Sequence, residues 1–307
     1  MKGKHREKQS TQINVHRPVP GTGRPGPAGL GYLARCSPGP GRGLPGDHPF
    51  EPVGCSMSKI LGYIAYEGPS EIDGSPIVVI VNKIDAASKN DKTGALVQTF
   101  IIRSDINPVA ALQTGQDVSV CGQCIHRPVL ARDTGDVPCY VQVAKSVLSV
   151  FNAYKRGRYV KATPATIARV IAGKRLRIGT YGDPWAAPVA TWQDLVQFTA
   201  GHAGYSHQWQ DTRFDHAAWA PLVMASADTI DEAAQANLFG MRVFRVSVGV
   251  DRQPGEVTCP ASAEGGKKTT CADCLLCAGT SKVARDIVIA DHAAGHARRV
   301  ISIGVTA

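Results

Sequence analysis

Apolar positions along the chain first fall into a sustained pattern at Met57. Residues 60–67 read as a strand. After them comes the unbroken run Ile77-Val78-Val79-Ile80-Val81, β-branched throughout and of the length of a buried strand. Gly68-Pro69 and Asp73-Gly74 supply turns between the two. A further strand at 97–103 leads into a helical stretch around 108–114. Residues 141–154 then place Val143, Val147, Val150, Phe151 and Tyr154 at the spacing of an amphipathic helix. Beyond that point the period alternates. Strands are predicted at 176–180, 205–209, 222–226, 241–250, 286–290 and 300–305, and helices at 191–200 and 229–239, the second with Thr229 as its cap and Gly240 as its stop. Alternation on this scale predicts an α/β fold with a mainly parallel sheet, arranged as a partial, barrel-like core. In such folds function gathers at the C-terminal ends of strands.

The first 56 residues are different. They hold 9 prolines and 11 glycines and no apolar period able to offset the entropy of ordering, so they read as a disordered leader ahead of a single α/β domain over 57–307. A start assigned upstream of a true one at Met57 would account for such a leader. The segment lacks the apolar stretch of a signal peptide, and nowhere does the chain reach the roughly 18 apolar residues of a membrane span, so a cytoplasmic protein is expected. The leader carries 8 Lys/Arg against 3 Asp/Glu, hence +5 of the formal +9, which leaves little general basicity with which to attract nucleic acid. The local exception is Tyr154-Lys155-Arg156-Gly157-Arg158-Tyr159-Val160-Lys161, readable either as a phosphate contact or as a solvated helix end.

The cysteines carry the chemistry. Cys36 and Cys55 fall in the leader, and the other seven fall into two groups, although free cysteine is an ordinary core residue that would normally be scattered. Without an export signal this partition reads as metal binding rather than disulfide bonding. The second group is Cys259-Pro260 followed by Cys271-x-x-Cys274-x-x-Cys277. Its spacing and its Cys-Pro resemble the ligands of a 4Fe-4S cluster, with structural zinc as the alternative. The first group is Cys121-Gly122-Gln123-Cys124-Ile125-His126-Arg127 with Cys139 farther on. Three thiolates and the His126 imidazole satisfy a closed zinc site, whereas three thiolates alone leave one iron of a cubane open to a cofactor or substrate.

Two resemblances follow from these motifs. Cys-Gly-x-Cys-x-His-Arg, Cys139-Tyr140-Val141, Tyr154-Lys155-Arg156-Gly157, Tyr181-Gly182-Asp183-Pro184, His207-Gln208-Trp209 and Cys259-Pro260-Ala261-Ser262 together resemble a family of uncharacterised bacteriophage proteins over nearly everything after Met57. That likeness brings no established activity. The order of features also resembles that of radical S-adenosylmethionine enzymes: an early cysteine cluster, a glycine-bearing strand end, a Ser-x-Asp strand end and a C-terminal auxiliary cluster. That family spaces its cysteines C-x-x-x-C-x-x-C, and this chain has C-x-x-C with a distant Cys139. The resemblance implies a cofactor site of Gly182, Asp183, Ser226 and Asp228 beside Cys121, Cys124 and Cys139.

Among the remaining motifs, His207 is the candidate proton carrier, with Asp183 presented by a strand end as the second candidate catalytic group. Asn82-Lys83-Ile84-Asp85 imitates a guanine-reading motif, but no G-x-x-x-x-G-K-S/T loop accompanies it. Neither H-E-x-x-H nor G-x-S-x-G occurs. The expected function is an iron–sulfur metalloprotein akin to radical S-adenosylmethionine enzymes. The alternative is a zinc-stabilised, non-enzymatic phage protein that binds nucleic acid or a host protein.

Overall fold

A computed structural model of the chain describes residues 32–35, 56–82, 84, 90–131 and 139–291. Two short strands come first: β1 (Tyr32–Arg35) pairs antiparallel with β2 (Ser56–Lys59), with Ala34 opposite Met57. The leader, expected to be disordered throughout, thus contributes one strand, β1, which pairs with the strand that opens at its last residue, Ser56. Main-chain ladder bonds can form there without an apolar period in the side chains. The rest of the leader, with Cys36 and Cys55, lies outside the described residues, as does the strand expected at 300–305.

The remaining elements alternate as the pattern predicts. The hairpin strands β3 (Gly62–Pro69) and β4 (Pro76–Asn82) precede β5 (Val97–Arg103), α1 (Pro108–Thr114) and α2 (Val118–Cys121). A π-helical turn at Val143–Val147 runs into α3 (Leu148–Lys155), followed by β6 (Tyr159–Lys161), α4 (Pro164–Val170), β7 (Arg175–Tyr181) and α5 (Val189–Val196). The order then continues with β8 (Gly201–Ser206), α6 (His216–Trp219), β9 (Met224–Ala227), α7 (Ile230–Leu238), β10 (Val243–Ser247), β11 (Glu256–Thr258), α8 (Cys271–Cys274) and β12 (Asp286–Ala290). Local chemistry sets several of the helix starts. Asn107 and Thr163 cap α1 and α4 just ahead of a proline, and Thr229 with Glu232 forms a capping box on α7.

Strands β3 to β12 form one ten-stranded sheet in the order β11-β12-β10-β9-β8-β7-β5-β4-β3-β6. Every pairing is parallel except those of β4 with β3 and β5. The apolar run of β4 is buried on both faces, with Ile77, Val78, Val79, Ile80 and Val81 all at 0% exposure, as a central strand of a sheet covered on both sides requires. At the β10 end the sheet separates two cores. Val243, Ala225 and Ala227 belong to the larger one, while Phe244, Val246, Met224, Ile287 and Ile289 face a smaller one that includes Cys259. No helix among the described residues is long and apolar enough to cross a membrane.

One boundary differs in a way that matters for the site. The strand expected at 205–209 stops at Ser206, and a 3-10 turn (Gln208–Gln210) follows. The cause is Asp183, whose Oδ2 accepts the His207 N–H at 2.7 Å and so draws that main chain away from the sheet.

Candidate metal centre at the strand ends

Strands β7, β8 and β9 are parallel neighbours, so their C-terminal ends lie side by side. Each leads to a residue of interest: Asp183 one residue beyond the end of β7, and His207 and Asp228 immediately after β8 and β9. Asp183 is almost fully buried and its carboxylate is fully engaged. Oδ1 accepts from Trp185 N at 3.1 Å and Ser206 Oγ at 2.9 Å, and Oδ2 accepts from His207 N and, at 3.5 Å, from Gln208 Nε2. Burial pushes the Asp183 carboxyl up, against the charge of His207 and these hydrogen bonds. With both oxygens occupied it acts as an organising anion for the loops above the strands. That differs from the catalytic role expected for it, because the donors that hold it leave no free lone pair facing outward.

Gly182 likewise packs rather than cradles. At φ +82° it turns the chain, and a Cβ there would stand 2.7 Å from Ile101 Cβ and 2.8 Å from Ile101 O. Its missing side chain lets β5 and α2 approach this turn closely. Asp183 N then donates to Val120 O at 2.6 Å, which seats α2 on this strand end.

The first cysteine loop leaves α2 at Cys121 and reverses at Gly122, which has φ 54° and ψ −128°. Gln208, 1% exposed, pins it from below: its Nε2 donates to Cys121 O at 3.1 Å and its Oε1 accepts Gln123 N–H at 3.1 Å. Arg127 clamps the other side. It makes a bidentate pair with the fully buried Asp117 at 2.9 and 2.8 Å and donates to the carbonyls of Gly115 and Gly122. Burial raises all three thiols of this group, Cys124 to about 12; Cys121 senses the charges of Cys124 and Cys139, and Cys139 senses that of Cys124. The Tyr181 hydroxyl hydrogen-bonds the Cys121 sulfur.

Above this loop, His126 Nε2 faces both Asp228 oxygens at 3.0 Å. The His207 ring meets the His126 ring edge-on, with centroids 5.4 Å apart, and His207 Nε2 is buried without a hydrogen-bond partner. One ligand atom each from His126, His207 and Asp228 lies within 4.8 Å of the other two. The Cys124 thiol feels the charges of both Asp183 and Asp228, so thiols and histidines share one neighbourhood. Asp228 itself is oriented by α7, since its N–H donates to Glu232 Oε2 at 2.7 Å.

The second group sits on the smaller core. Cys259 N donates to Val288 O at 2.9 Å, beside β12, and Cys271 opens α8 with its N–H on Lys92 O at 2.7 Å. Thr270 caps that helix and Leu275 leaves it in the left-handed region, which brings Cys277 back so that its carbonyl accepts Gly204 N–H of β8 at 3.1 Å. The Tyr205 hydroxyl hydrogen-bonds the Cys277 sulfur, and burial raises Cys277 to about 12 while Cys259, Cys271 and Cys274 add their charges. Arg177 of β7 donates to Tyr140 Oη at 3.1 Å and lies over the Tyr205 ring, between Tyr140 next to Cys139 and the second group.

The structure therefore sets ligand atoms of His126, His207 and Asp228 close together, places Cys121 and Cys139 within electrostatic reach of Cys124, and Cys124 within that of Asp183 and Asp228, and places Cys277 within reach of Cys259, Cys271 and Cys274. Ser226, the remaining expected cofactor contact, alternates onto the Met224 side of β9, and its carbonyl accepts the Trp209 indole N–H at 2.8 Å. The sequence reading gave no role to Gln208, Arg127, Asp117, Tyr181 or Tyr205. Their signal was adjacency alone: Gln208 follows His207, and Arg127 follows His126. The basic cluster lies at the end of α3 and the start of β6, with Lys155 Nζ on Ser104 O and Lys161 paired to Glu67. Its first part is a helix end and its cations are partly committed. No family model, curated protein or solved structure matches the chain.

Proposed function

We propose that the chain is an iron–sulfur metalloprotein, with one cluster on Cys121, Cys124 and Cys139 at the strand ends and a second on Cys259, Cys271, Cys274 and Cys277. The observation that carries this reading is the spacing of the thiols. In sequence the second group reads C-x-x-C-x-x-C with a Cys-Pro, the ligand spacing of a 4Fe-4S cluster, and in space Cys121 and Cys139 each sense the charge of Cys124 while Cys277 senses Cys259, Cys271 and Cys274.

The enzymatic form of the reading follows the resemblance to radical S-adenosylmethionine enzymes, whose sheets curve into partial barrels. Cys121, Cys124 and Cys139 would hold a cluster with one iron free of cysteine, and the chemistry it would supply is one-electron reduction of a bound sulfonium. The chain's own part is positional. Gln208 and Arg127 hold the cysteine loop, Asp183 holds Gln208 and His207, and the apolar wall around Val120 and Trp185 excludes water. A reducing cytoplasmic setting would keep the thiols available to metal.

Anaerobic purification of the full chain, with an absorption spectrum and assays of iron, sulfide and zinc on the same sample, tests the reading. Brown protein with about eight irons supports two cubanes. A Cys139→Ala variant should then lose S-adenosylmethionine cleavage. Colourless protein with two zinc ions overturns the proposal and favours a zinc-stapled phage-type binding module.

A further inference from the structure

We infer that His126, His207 and Asp228 form a third, mononuclear metal site, distinct from both cysteine groups and suited to a divalent first-row transition ion. The donor set is two imidazoles and one carboxylate with no fourth protein ligand required, the combination that leaves coordination positions open on such ions. Two ligands about 2.1 Å from a shared ion at ordinary angles lie roughly 3.0–3.4 Å from each other. His126 Nε2 and the Asp228 oxygens stand at 3.0 Å.

A simple His126–Asp228 ion pair would explain that distance but not the third member. His207 Nε2 is buried and makes no hydrogen bond, a cost that an ion would relieve. Its ring is held so by the main chain, because Asp183 grips the His207 N–H and places the side chain against His126. Asp228 is held independently through Glu232 on α7. Two ligands fixed at different strand ends and a third on the loop after α2 make a prebuilt site. Each element was set by packing that does not involve the ion.

This assignment does not rest on the iron–sulfur reading, and it takes Asp228 away from the cofactor contact that the family resemblance implies. The two claims are separable with Mn(II), a hard ion that thiolates hold poorly. The full chain, purified anaerobically, would be titrated with Mn(II) while the six-line spectrum of the free ion is followed by electron paramagnetic resonance. One Mn(II) per chain is expected in the wild type and in Cys124→Ser and Cys271→Ser. At least a ten-fold weakening is expected in Asp228→Asn and His207→Gln. Thermal melts check that each variant folds, and His126→Gln carries the test if His207→Gln does not. Absence of stoichiometric Mn(II) uptake by folded wild type overturns the site, as does uptake indifferent to these three residues. Iron and sulfide contents of the same samples report on the cysteine clusters separately.

Discussion

Gln208 occupies the space that a side chain on residue 122 would need. A Cβ on Gly122 would stand 2.2 Å from Gln208 Oε1 and 2.4 Å from its Cδ. The same amide binds both Cys121 O and Gln123 N–H, so the turn between two candidate ligands and the residue after His207 are halves of a single contact.

Gly122→Ala should therefore be costly twice, through its left-handed backbone and through displacement of Gln208. The strain alone is worth about 1–3 kcal/mol, read by chemical denaturation. If the two cysteine groups hold metal as proposed, the first should lose it while the second keeps its own. Gln208→Ala combined with Gly122→Ala should cost less than the sum of the two single changes; strict additivity would refute the contact.

Arg127 and Asp117 form the buried pair that clamps the same loop. Arg127→Met leaves Asp117, at 0% exposure, without its cation and should destabilise the fold by about 3–5 kcal/mol. Arg127→Met with Asp117→Leu should recover much of that loss. A single variant as stable as the wild type in denaturation would show that the pair does not hold the loop.

Acid stability should depend on Glu256. Burial works to raise its carboxyl, but hydrogen bonds from Arg245 and Gln253 N and the Arg245 charge hold it below its ordinary value of 4.5. A depressed acid contributes stability that is present above that ordinary value and lost as pH falls through the folded one. Glu256→Gln should lower stability at neutral pH and flatten its decline below pH 4.5, followed by denaturation midpoints across that window. An unchanged slope would count against the assignment.

Tyr205→Phe removes the hydrogen bond to the Cys277 sulfur. If that sulfur ligates a cluster, the hydrogen bond favours the more negative reduced form, so its loss should move the potential of the second cluster to more negative values. Anaerobic redox titration of variant and wild type reads the shift, and an identical potential would exclude Cys277 as a hydrogen-bonded ligand.

Much of the fold is legible along the chain. The β-branched run of β4, the Thr229 cap with Glu232 three residues on, and the partition of cysteines into two groups each rest on neighbours within a few positions, where helical period, strand period and ligand spacing are written directly. Short elements such as β6 and β11, three residues each, carry too little period to be read that way. What only the tertiary structure decided is which strand ends meet. Asp183, His207 and Asp228 are far apart in sequence and become neighbours because β7, β8 and β9 run parallel and adjacent. The same long-range contacts turned Asp183 from a presented carboxylate into a saturated anchor and Gly182 into a packing residue, since the donors and atoms that fill their surroundings come from β8 and β5. Residue type and spacing determined the candidate ligands. Their assembly into a site followed from strand order, which no local pattern encodes.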